Sequence, residues 1–286
     1  ANGAIYNNEL TTMPLDPETG EPAVFNNVGA YGYSQGSSIF DFYMREYAGV
    51  DPADGRPMWY EYYDDFNDNG VLDAGEELRD NAGLPDGSLF PYTEANPDAN
   101  IRKTVTKTYA NSTEKYIGKS GIPDLAGAFR INARLHNFTL STQFTYSIGG
   151  YGYDSQYAEL MHDNNSGIAG TNRHKDVRRR WRQPGDITDV PIIADRVVPN
   201  VNSQSSRFIT KTDFLALNNV RLGYNVPQKF LDNTGISALD LYVSGDNLFI
   251  NTVREGFNPT TSESGNSGRG LYAPLSTFTL GVKVKF

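Results

Sequence analysis

The chain ends in a stretch whose side chains alternate between apolar and polar types, and this pattern restricts the possible folds most. The apolar set is Phe278, Leu280, Val282, Val284 and Phe286, and the polar set between them is Thr277, Thr279, Gly281, Lys283 and Lys285. A period of two places the two sets on opposite faces of a β-strand. We therefore predict a terminal strand with one apolar face and one polar face.

Residues 127–148 show the same alternation twice, on either side of a short turn at Asn137. The apolar face is predicted to hold Phe129, Ile131, Ala133 and Leu135 before the turn and Phe138, Leu140, Thr142, Phe144, Tyr146 and Ile148 after it. Two alternating runs joined by a tight turn predict a β-hairpin. Each run has roughly ten residues, which is the length at which a tilted strand crosses a bilayer.

Weaker alternation predicts further strands. Residues 220–226 and 239–243 form another predicted pair, and the additional candidates are residues 38–48, 57–63 and 101–109. We expect about eight to ten strands in total. Because short turns join neighbouring strands, the predicted sheet is antiparallel.

Three long polar segments separate the predicted strands, at residues 64–100, 149–206 and 251–274. Outer-membrane β-barrels typically combine long extracellular loops with short turns on the other side. The predicted polar faces also carry a basic set, which is Arg130, Arg134, Arg221, Lys283 and Lys285. These cations suit a water-filled lumen. The pattern therefore predicts an all-β, antiparallel transmembrane barrel. The alternative is a soluble, calcium-stabilised β-sandwich that acts as a binding or adhesion module, because the strands of a sandwich alternate as well.

The composition excludes several other classes of function. A net charge of −9 and a pI near 4.9 argue against a nucleic-acid partner, because binding phosphates needs a basic face. The chain has no Cys, so it has no disulfide, thiolate nucleophile or zinc–thiolate site. Its His residues are scattered, and it has no nucleophile elbow, zinc-protease motif or phosphate loop. We therefore expect that the chain is not an enzyme.

Short blocks of sequence follow one another in a specific order. The later blocks are FLALNNVRLGYNVP at 214–227, VSGDNLF at 243–249, GFNP at 256–259 and the stretch from Tyr272 to Phe286. The earlier blocks are YAGVDPADG at 47–55, IPDL at 122–125 and RWRQPGD at 180–186. Together these blocks resemble the C-terminal region of SusC/RagA-type TonB-dependent transporters, over about residues 38–286.

The resemblance implies that the chain is part of a larger protein. Transporters of this family close a barrel of about 22 strands around a plug. Residues 1–286 would then be the C-terminal portion of the barrel, with the plug and the N-terminal strands outside this chain and the rest of the barrel as a partner. The family also implies a location in the bacterial outer membrane and TonB-dependent import of oligosaccharides or oligopeptides. A SusD/RagB-like surface lipoprotein and the TonB complex would be the protein partners.

Residues 65–76 have the spacing of a calcium-binding loop. Oxygen-bearing side chains stand at loop positions 1, 3, 5, 9 and 12, a Gly makes the turn at position 6, and position 7 would contribute its backbone carbonyl. The predicted ligands are Asp65, Asn67, Asn69, Val71, Asp73 and Glu76. The alternative is a solvated turn rich in Asp, Asn and Gly. We expect a bound Ca²⁺ to stiffen the loop and to take no part in catalysis.

Residues 173–182 form a basic run in an otherwise acidic chain. Arg side chains match phosphate oxygens, so one interpretation is contact with lipopolysaccharide or another anionic ligand. The alternative, which we favour, is a loop that pairs with nearby carboxylates such as Asp186 and Asp189.

The predicted loops are also rich in aromatic residues, which are Trp59, Tyr60, Tyr62, Tyr63, Tyr92, Tyr151, Tyr153, Tyr157 and Tyr272. Their rings could stack on sugars or pack against peptide ligands. For most of them we favour a girdle at the membrane interfaces or packing within the loops.

Overall fold

A computed structural model describes residues 1–17, 20–78, 87–163, 172–194, 198–232, 234–262, 266 and 274–286. In chain order its strands are β1 (Asn2–Ile5), β2 (Phe25–Val28), β3 (Tyr31–Tyr33), β4 (Asp41–Arg45), β5 (Tyr47–Val50), β6 (Pro57–Asp64), β7 (Ile101–Thr106), β8 (Glu114–Ser120), β9 (Leu125–Leu135), β10 (Phe138–Ile148), β11 (Tyr151–Tyr153), β12 (Ile209–Lys211), β13 (Phe214–Asn225), β14 (Ala238–Thr252) and β15 (Thr277–Lys285). The α-helices are α1 (Leu89–Ala95) and α2 (Ser155–Leu160), and 3₁₀ turns occupy Tyr109–Asn111, Lys175–Arg179, Ser206–Phe208, Gln228–Phe230 and Pro259–Thr261. None of the helices in the described ranges is both long and apolar enough to cross a membrane.

The chain divides into two compact units. The sheet unit comprises Ala1–Asn7, Ile122–Gly152 and Thr210–Phe286, and the loop unit comprises Asn8–Gly121 and Tyr153–Ile209. Basic residues outnumber acidic residues in the sheet unit, so the loop unit carries the excess of acidic residues behind the net charge of −9.

The sheet unit contains one six-stranded sheet in the order β1-β9-β10-β13-β14-β15, and every neighbouring pair in it is antiparallel. β9 and β10 form the predicted hairpin, in which Leu135 pairs with Phe138 and only His136 and Asn137 make the turn. His136 has a φ of 52°, the left-handed conformation that two-residue hairpin turns require. The four central strands have 11 to 15 residues, about twice the usual length in globular sheets.

The two faces of this sheet differ in chemistry, as the alternation predicts. Cross-strand partners share a face, and Leu222, Val243 and Leu280 lie side by side on the apolar one. The apolar side chains are exposed: 82% of Leu280, 74% of Phe278 and 45% of Val243 is accessible. An apolar surface of this extent is unfavourable in water, so it requires an apolar medium or a partner to cover it.

The loop unit contains a four-stranded sheet in the order β2-β3-β4-β8 and a three-stranded sheet in the order β5-β6-β7. Aromatic side chains fill its interior, and Phe42, Tyr43, Trp59 and Tyr63 are buried almost completely. A second cluster of buried side chains lies around α2 and consists of Ala158, Met161, Val177, Val190 and Phe208. The two short strands β11 and β12 pair with each other.

The structure corrects the bounds of several predicted strands. Residues 38–48 are wrong as one strand, because Arg45 in β4 pairs with Glu114 whereas Tyr47 in β5 pairs with Trp59 of another sheet. The predicted strand 101–109 ends at Thr106 and is followed by a 3₁₀ turn. The predicted strand 220–226 proves to be the second half of β13, which ends at Asn225, and the predicted strand 239–243 proves to be the first part of β14.

The expected total of about eight to ten strands is too low, since the described residues contain fifteen. Several of the additional strands have three or four residues, which is too short for a period of two to be recognised. β8 is longer, but its side chains are mostly half-buried and do not alternate in burial. These additional strands form because they pair with other strands, and their sequences do not show the alternation of apolar and polar residues from which strands were predicted.

Candidate functional site

The polar face of the six-stranded sheet carries the basic set that the sequence predicts. Register places Arg134, Thr139, Gly223, Tyr242 and Gly281 next to one another across β9, β10, β13, β14 and β15. The adjacent row on the same face is Asn132, Ser141, Arg221, Ser244 and Thr279. The strands therefore bring Arg134 and Arg221 to neighbouring rows on one hydrophilic surface.

The cations of this face have neutral neighbours in the described part of the chain. Arg130 donates to Gln143 Oε1 at 2.7 Å, and the guanidinium carbon of Arg221 lies 3.9 Å from the ring centroid of Tyr242. Asp246 accepts a hydrogen bond of 2.7 Å from Asn219 Nδ2. Within the described residues, none of the basic set (Arg130, Arg134, Arg221, Lys283 and Lys285) forms an ion pair. The face is thus a source of positive potential.

A cavity of about 300 Å³ opens on this face between the two arginines. It is lined by Asn132, Ala133, Arg134, Thr139, Leu140, Ser141 and Arg221. We call it the arginine shelf. The sequence predicts that its arginines share a face, but only the register shows that small side chains stand between them.

The predicted calcium loop folds around its own polar side chains. Asp65 has a fully buried side chain, accepts the backbone N–H groups of Asn69 at 3.1 Å and Gly70 at 2.8 Å, and pairs with Arg102 Nε at 2.7 Å. Asp73 accepts from the side-chain amides of Asn67 at 2.9 Å and Asn69 at 2.7 Å. The structure therefore brings the first four side-chain positions of the predicted ligand set into one hydrogen-bonded turn.

The other end of the loop is held by Glu76. This buried side chain accepts the backbone N–H of Asp73 at 2.9 Å. The backbone N–H of Val71 donates to Asn69 Oδ1 at 2.7 Å. Gly70 has a φ of 76°, so the turn at loop position 6 uses the conformational freedom that Gly provides.

The donor set of the loop is suitable for a hard cation, because every predicted side-chain ligand contributes oxygen. Hydrogen bonds from the side-chain amides of Asn67 and Asn69 hold the pKa of Asp73 below its usual value. This carboxylate is therefore ionised at neutral pH. Within the described part of the chain, however, no three His, Asp or Glu side chains cluster closely enough to hold a metal by themselves. Amide and backbone oxygens would have to complete the coordination.

The basic run 173–182 pairs in part with its own neighbourhood. Arg179 approaches Asp176 at 3.3 Å and Asp189 at 3.5 Å. Asp186 accepts the backbone N–H groups of Arg182 and Gln183. These contacts agree with the favoured interpretation of a loop that pairs with nearby carboxylates, and lipopolysaccharide contact stays a prediction.

The aromatic residues of the loop unit mostly pack within it. Trp59 and Tyr63 are buried, and the hydroxyl groups of Tyr62, Tyr92 and Tyr157 donate to Glu46, Asp64 and Asp176, respectively. Burial, followed by the hydrogen bond to Asp176, raises the pKa of Tyr157 to about 12. Tyr272 lies outside the described residues.

The sequence blocks at 47–55 and 180–186, which are far apart in the chain, contact each other in the structure. The indole Nε1 of Trp181 donates to the carbonyl of Pro52 at 3.0 Å, and the backbone N–H of Ile192 donates to the carbonyl of Gly55 at 2.9 Å. Gly55 has a φ of 73°, and a Cβ there would overlap the Trp181 ring. No sequence pattern joins residues this far apart, so this contact was not predictable from the motifs.

Comparison with known proteins supports an outer-membrane receptor fold. No family model matches the chain. The chain is similar to TonB-dependent receptor P3 of Formosa agariphila, with 28% identity over 262 residues that cover 88% of this chain and 22% of the receptor. TonB-dependent receptor P39 of the same organism is 28% identical over 209 residues, which cover 70% of this chain and 19% of that receptor.

Solved structures show the same fold. The RagAB peptide transporter matches with a TM-score of 0.66 and 22% identity over 92% of this chain and 25% of the matched chain. The RagAB peptide importer in its open-open state matches with a TM-score of 0.63 and 20% identity over 95% of this chain. The chain thus spans about a quarter of the length of these relatives or less. The predicted antiparallel barrel fold is confirmed.

Proposed function

Because this chain is similar in sequence and in fold to SusC/RagA-type TonB-dependent transporters of the bacterial outer membrane, we propose that it forms the C-terminal part of such a transporter. Its role is to build part of the barrel wall through which nutrients are imported. The plug, the remaining strands and the segment that contacts TonB belong to the rest of the protein. The relatives are receptors and transporters, not enzymes.

The observation that carries this proposal is the apolar face of the six-stranded sheet. Phe278, Leu280, Val282 and Phe286 are 60% to 87% exposed, and no second sheet covers them in the part of the chain that the structure describes. In a soluble β-sandwich these residues would be buried between two sheets. Lipid provides the apolar medium that such a face needs.

The opposite face supplies the hydrophilic wall of the bore. Oligosaccharides or oligopeptides are the proposed cargo, and polar side chains such as Asn132, Ser141 and Asn219 can exchange hydrogen bonds with either class. TonB delivers the energy through the plug, and a SusD/RagB-like lipoprotein captures cargo at the cell surface. No covalent change of the cargo is involved.

The import function is tested by uptake in cells that express the full-length transporter. A labelled mixture of oligosaccharides and a labelled mixture of oligopeptides are supplied in separate experiments. We expect accumulation of at least one mixture to require both the transporter and TonB, and to fall at low cargo concentration when the lipoprotein is deleted. Accumulation that does not change on deletion of the transporter or of TonB would refute the import function.

We also propose that residues 65–76 bind Ca²⁺ and that the ion rigidifies this loop. The support is the oxygen-only donor set and the ionised, outward-lying Asp73 beside Asn67 and Asn69. The neutral amides that now contact Asp73 are weaker partners for a carboxylate than a divalent cation. Ca²⁺ would supply no chemistry beyond holding the loop.

Calorimetric titration of the full-length transporter with CaCl₂ tests this site. Asp73→Asn removes the negative charge of a predicted ligand, and Asp68→Asn removes the same charge from a loop position outside the ligand set. We expect Asp73→Asn to weaken Ca²⁺ binding by about tenfold or more and Asp68→Asn to change it little. Equal effects of the two substitutions, or no binding by the unmodified protein, would show that the loop is a solvated turn.

A further inference from the structure

The basic set of the polar face is not balanced by acidic residues. Asp240 lies opposite Lys283 in the register, and Asp246 is bonded to Asn219. Among the paired residues of the described sheet, these are the only two carboxylates on the face that carries the five cations. The positive face is unusual in a chain whose net charge is −9. Cations that line a bore raise the local concentration of anions.

The arginine shelf is a recess within this positively charged face. Thr139, Ser141 and Gly223 are small, and together they leave the recess of about 300 Å³ that Arg134 and Arg221 flank. That volume is at the lower end of the range of binding pockets for small molecules. It can receive one charged group of a longer ligand.

The position of one guanidinium is fixed before a ligand arrives. The guanidinium carbon of Arg221 stacks 3.9 Å from the ring centroid of Tyr242, and this ring in turn covers Gly281, where a Cβ would overlap it. A stacked guanidinium keeps its edge free for a bidentate contact. Neither Arg221 nor Arg134 has a carboxylate partner in the described ranges, so both can receive one from a ligand.

From these observations we propose that the arginine shelf is a binding subsite for a carboxylate group of the imported oligomer. Both guanidinium groups line one recess, and an Arg guanidinium donates strong, often bidentate hydrogen bonds to a carboxylate. The inference rests on the proposed import function and specifies its cargo as acidic. Acidic side chains of an oligopeptide and uronic acids of an oligosaccharide present the same group, so the shelf recognises the carboxylate and not the backbone that bears it.

The test uses the full-length transporter, purified in detergent, and fluorescent oligomers as probes. The acidic probes are hexaglutamate and hexagalacturonate, and their neutral counterparts are hexaglutamine and maltohexaose. The variant is Arg134→Gln/Arg221→Gln. The matched control is Lys229→Gln, which removes a positive charge from the exposed turn after β13 and not from the polar face.

We expect at least one acidic probe to bind more tightly than its neutral counterpart, and added salt to weaken this binding. In the double variant the Kd of that probe should rise by about tenfold or more, whereas Lys229→Gln should leave it nearly unchanged. The acidic probe that binds more tightly identifies the backbone of the cargo. Circular dichroism and elution as a single species establish that the variant is folded.

The subsite is disproved if neither acidic probe binds more tightly than its neutral counterpart. It is also disproved if the double variant and Lys229→Gln change the Kd of the acidic probe by the same factor. The first of these results would also follow if an acidic segment of the transporter itself filled the shelf, and it would overturn the proposal equally. Binding is measured without TonB, so failure here leaves the uptake result intact. Conversely, accumulation that does not depend on TonB would refute the proposed import function, and it would leave the measured binding of the acidic probe unchanged.

Discussion

Gly55 and Trp181 show how a single residue type can determine a contact in the loop unit. Gly55 has a φ of 73° and lies under the Trp181 ring, which leaves no room for a Cβ. Neither reason for Gly is visible in the sequence of the block at 47–55. The sequence block at 47–55 supports the family resemblance, and only the three-dimensional fold shows that Trp181 is its contact partner.

We predict that Gly55→Ala destabilises this contact by more than its backbone conformation accounts for. Gly29→Ala is the matched control, because Gly29 has the same φ of 73° and nothing within 4 Å of its Cβ position. Each substitution has a backbone cost of about 1 kcal/mol. Gly55→Ala adds the displacement of Trp181. Hydrogen exchange at the backbone N–H of Ile192, which donates to Gly55, should therefore speed up only in Gly55→Ala, and equal exchange in both variants would contradict this packing.

The tyrosines of the loop unit predict how the unit responds to alkaline pH. Burial is the main cause that raises the pKa values of Tyr47, Tyr62, Tyr92 and Tyr157 to about 12, from 10.0. These groups are neutral in the folded state at a pH where the unfolded chain would ionise them. Stability that depends on the neutral form is therefore complete below pH 10 and is lost as the pH rises toward 12.

Ultraviolet titration of the phenolate band measures this effect. We expect part of the tyrosine signal to titrate near pH 12 in the folded protein and near the ordinary value after denaturation. Tyr62→Phe should remove one group from the part of the signal that titrates near pH 12 and leave the part that titrates at lower pH unchanged. A single transition at the ordinary value in the folded protein would mean that these rings are solvated.

At the level of elements, the long strands were predictable and the short ones were not. β10, β13, β14 and β15 have one face in an apolar environment and one in a polar environment, so their sequences alternate over many residues. The short strands of the loop unit are defined by pairing with distant partners. The arginine shelf is an intermediate case. Alternation places both arginines on one face, and only strand register shows that they flank the same recess on β10.

Neighbouring residues on β15 provide a matched test of the two faces. Leu280 lies on the apolar face and Thr279 on the polar face. We predict that Leu280→Lys lowers the free energy of unfolding in liposomes by about 2–4 kcal/mol if it lies near the bilayer centre, whereas Thr279→Lys changes it by about 0.5 kcal/mol or less. Unfolding of the full-length transporter in denaturant gives both values. Equal effects of the two substitutions would contradict the assignment of Leu280 to a lipid-facing side and Thr279 to a water-facing side.

For the whole molecule, the comparisons and the exposed apolar face support the same conclusion. Relatives at 28% identity are TonB-dependent receptors, and the fold matches a larger transporter over 92% of this chain. The sequence predicted the family because ordered motifs survive at this level of identity. It did not predict the proposed carboxylate subsite, since the recess between Arg134 and Arg221 depends on which side chains the register makes adjacent.

The central claim is that the apolar face of the sheet contacts lipid while the polar face contacts water. This chain contains no Cys, so a single Cys introduced at each of positions 277 to 284 is its only labelling site. Any Cys in the rest of the full-length transporter is first replaced by Ser, and each single-Cys variant is spin-labelled in liposomes. We expect labels at Phe278, Leu280, Val282 and Val284 to be relaxed by oxygen, which partitions into lipid, and labels at the intervening positions by a water-soluble nickel chelate. Accessibility to the chelate that does not alternate along β15 would contradict the claim.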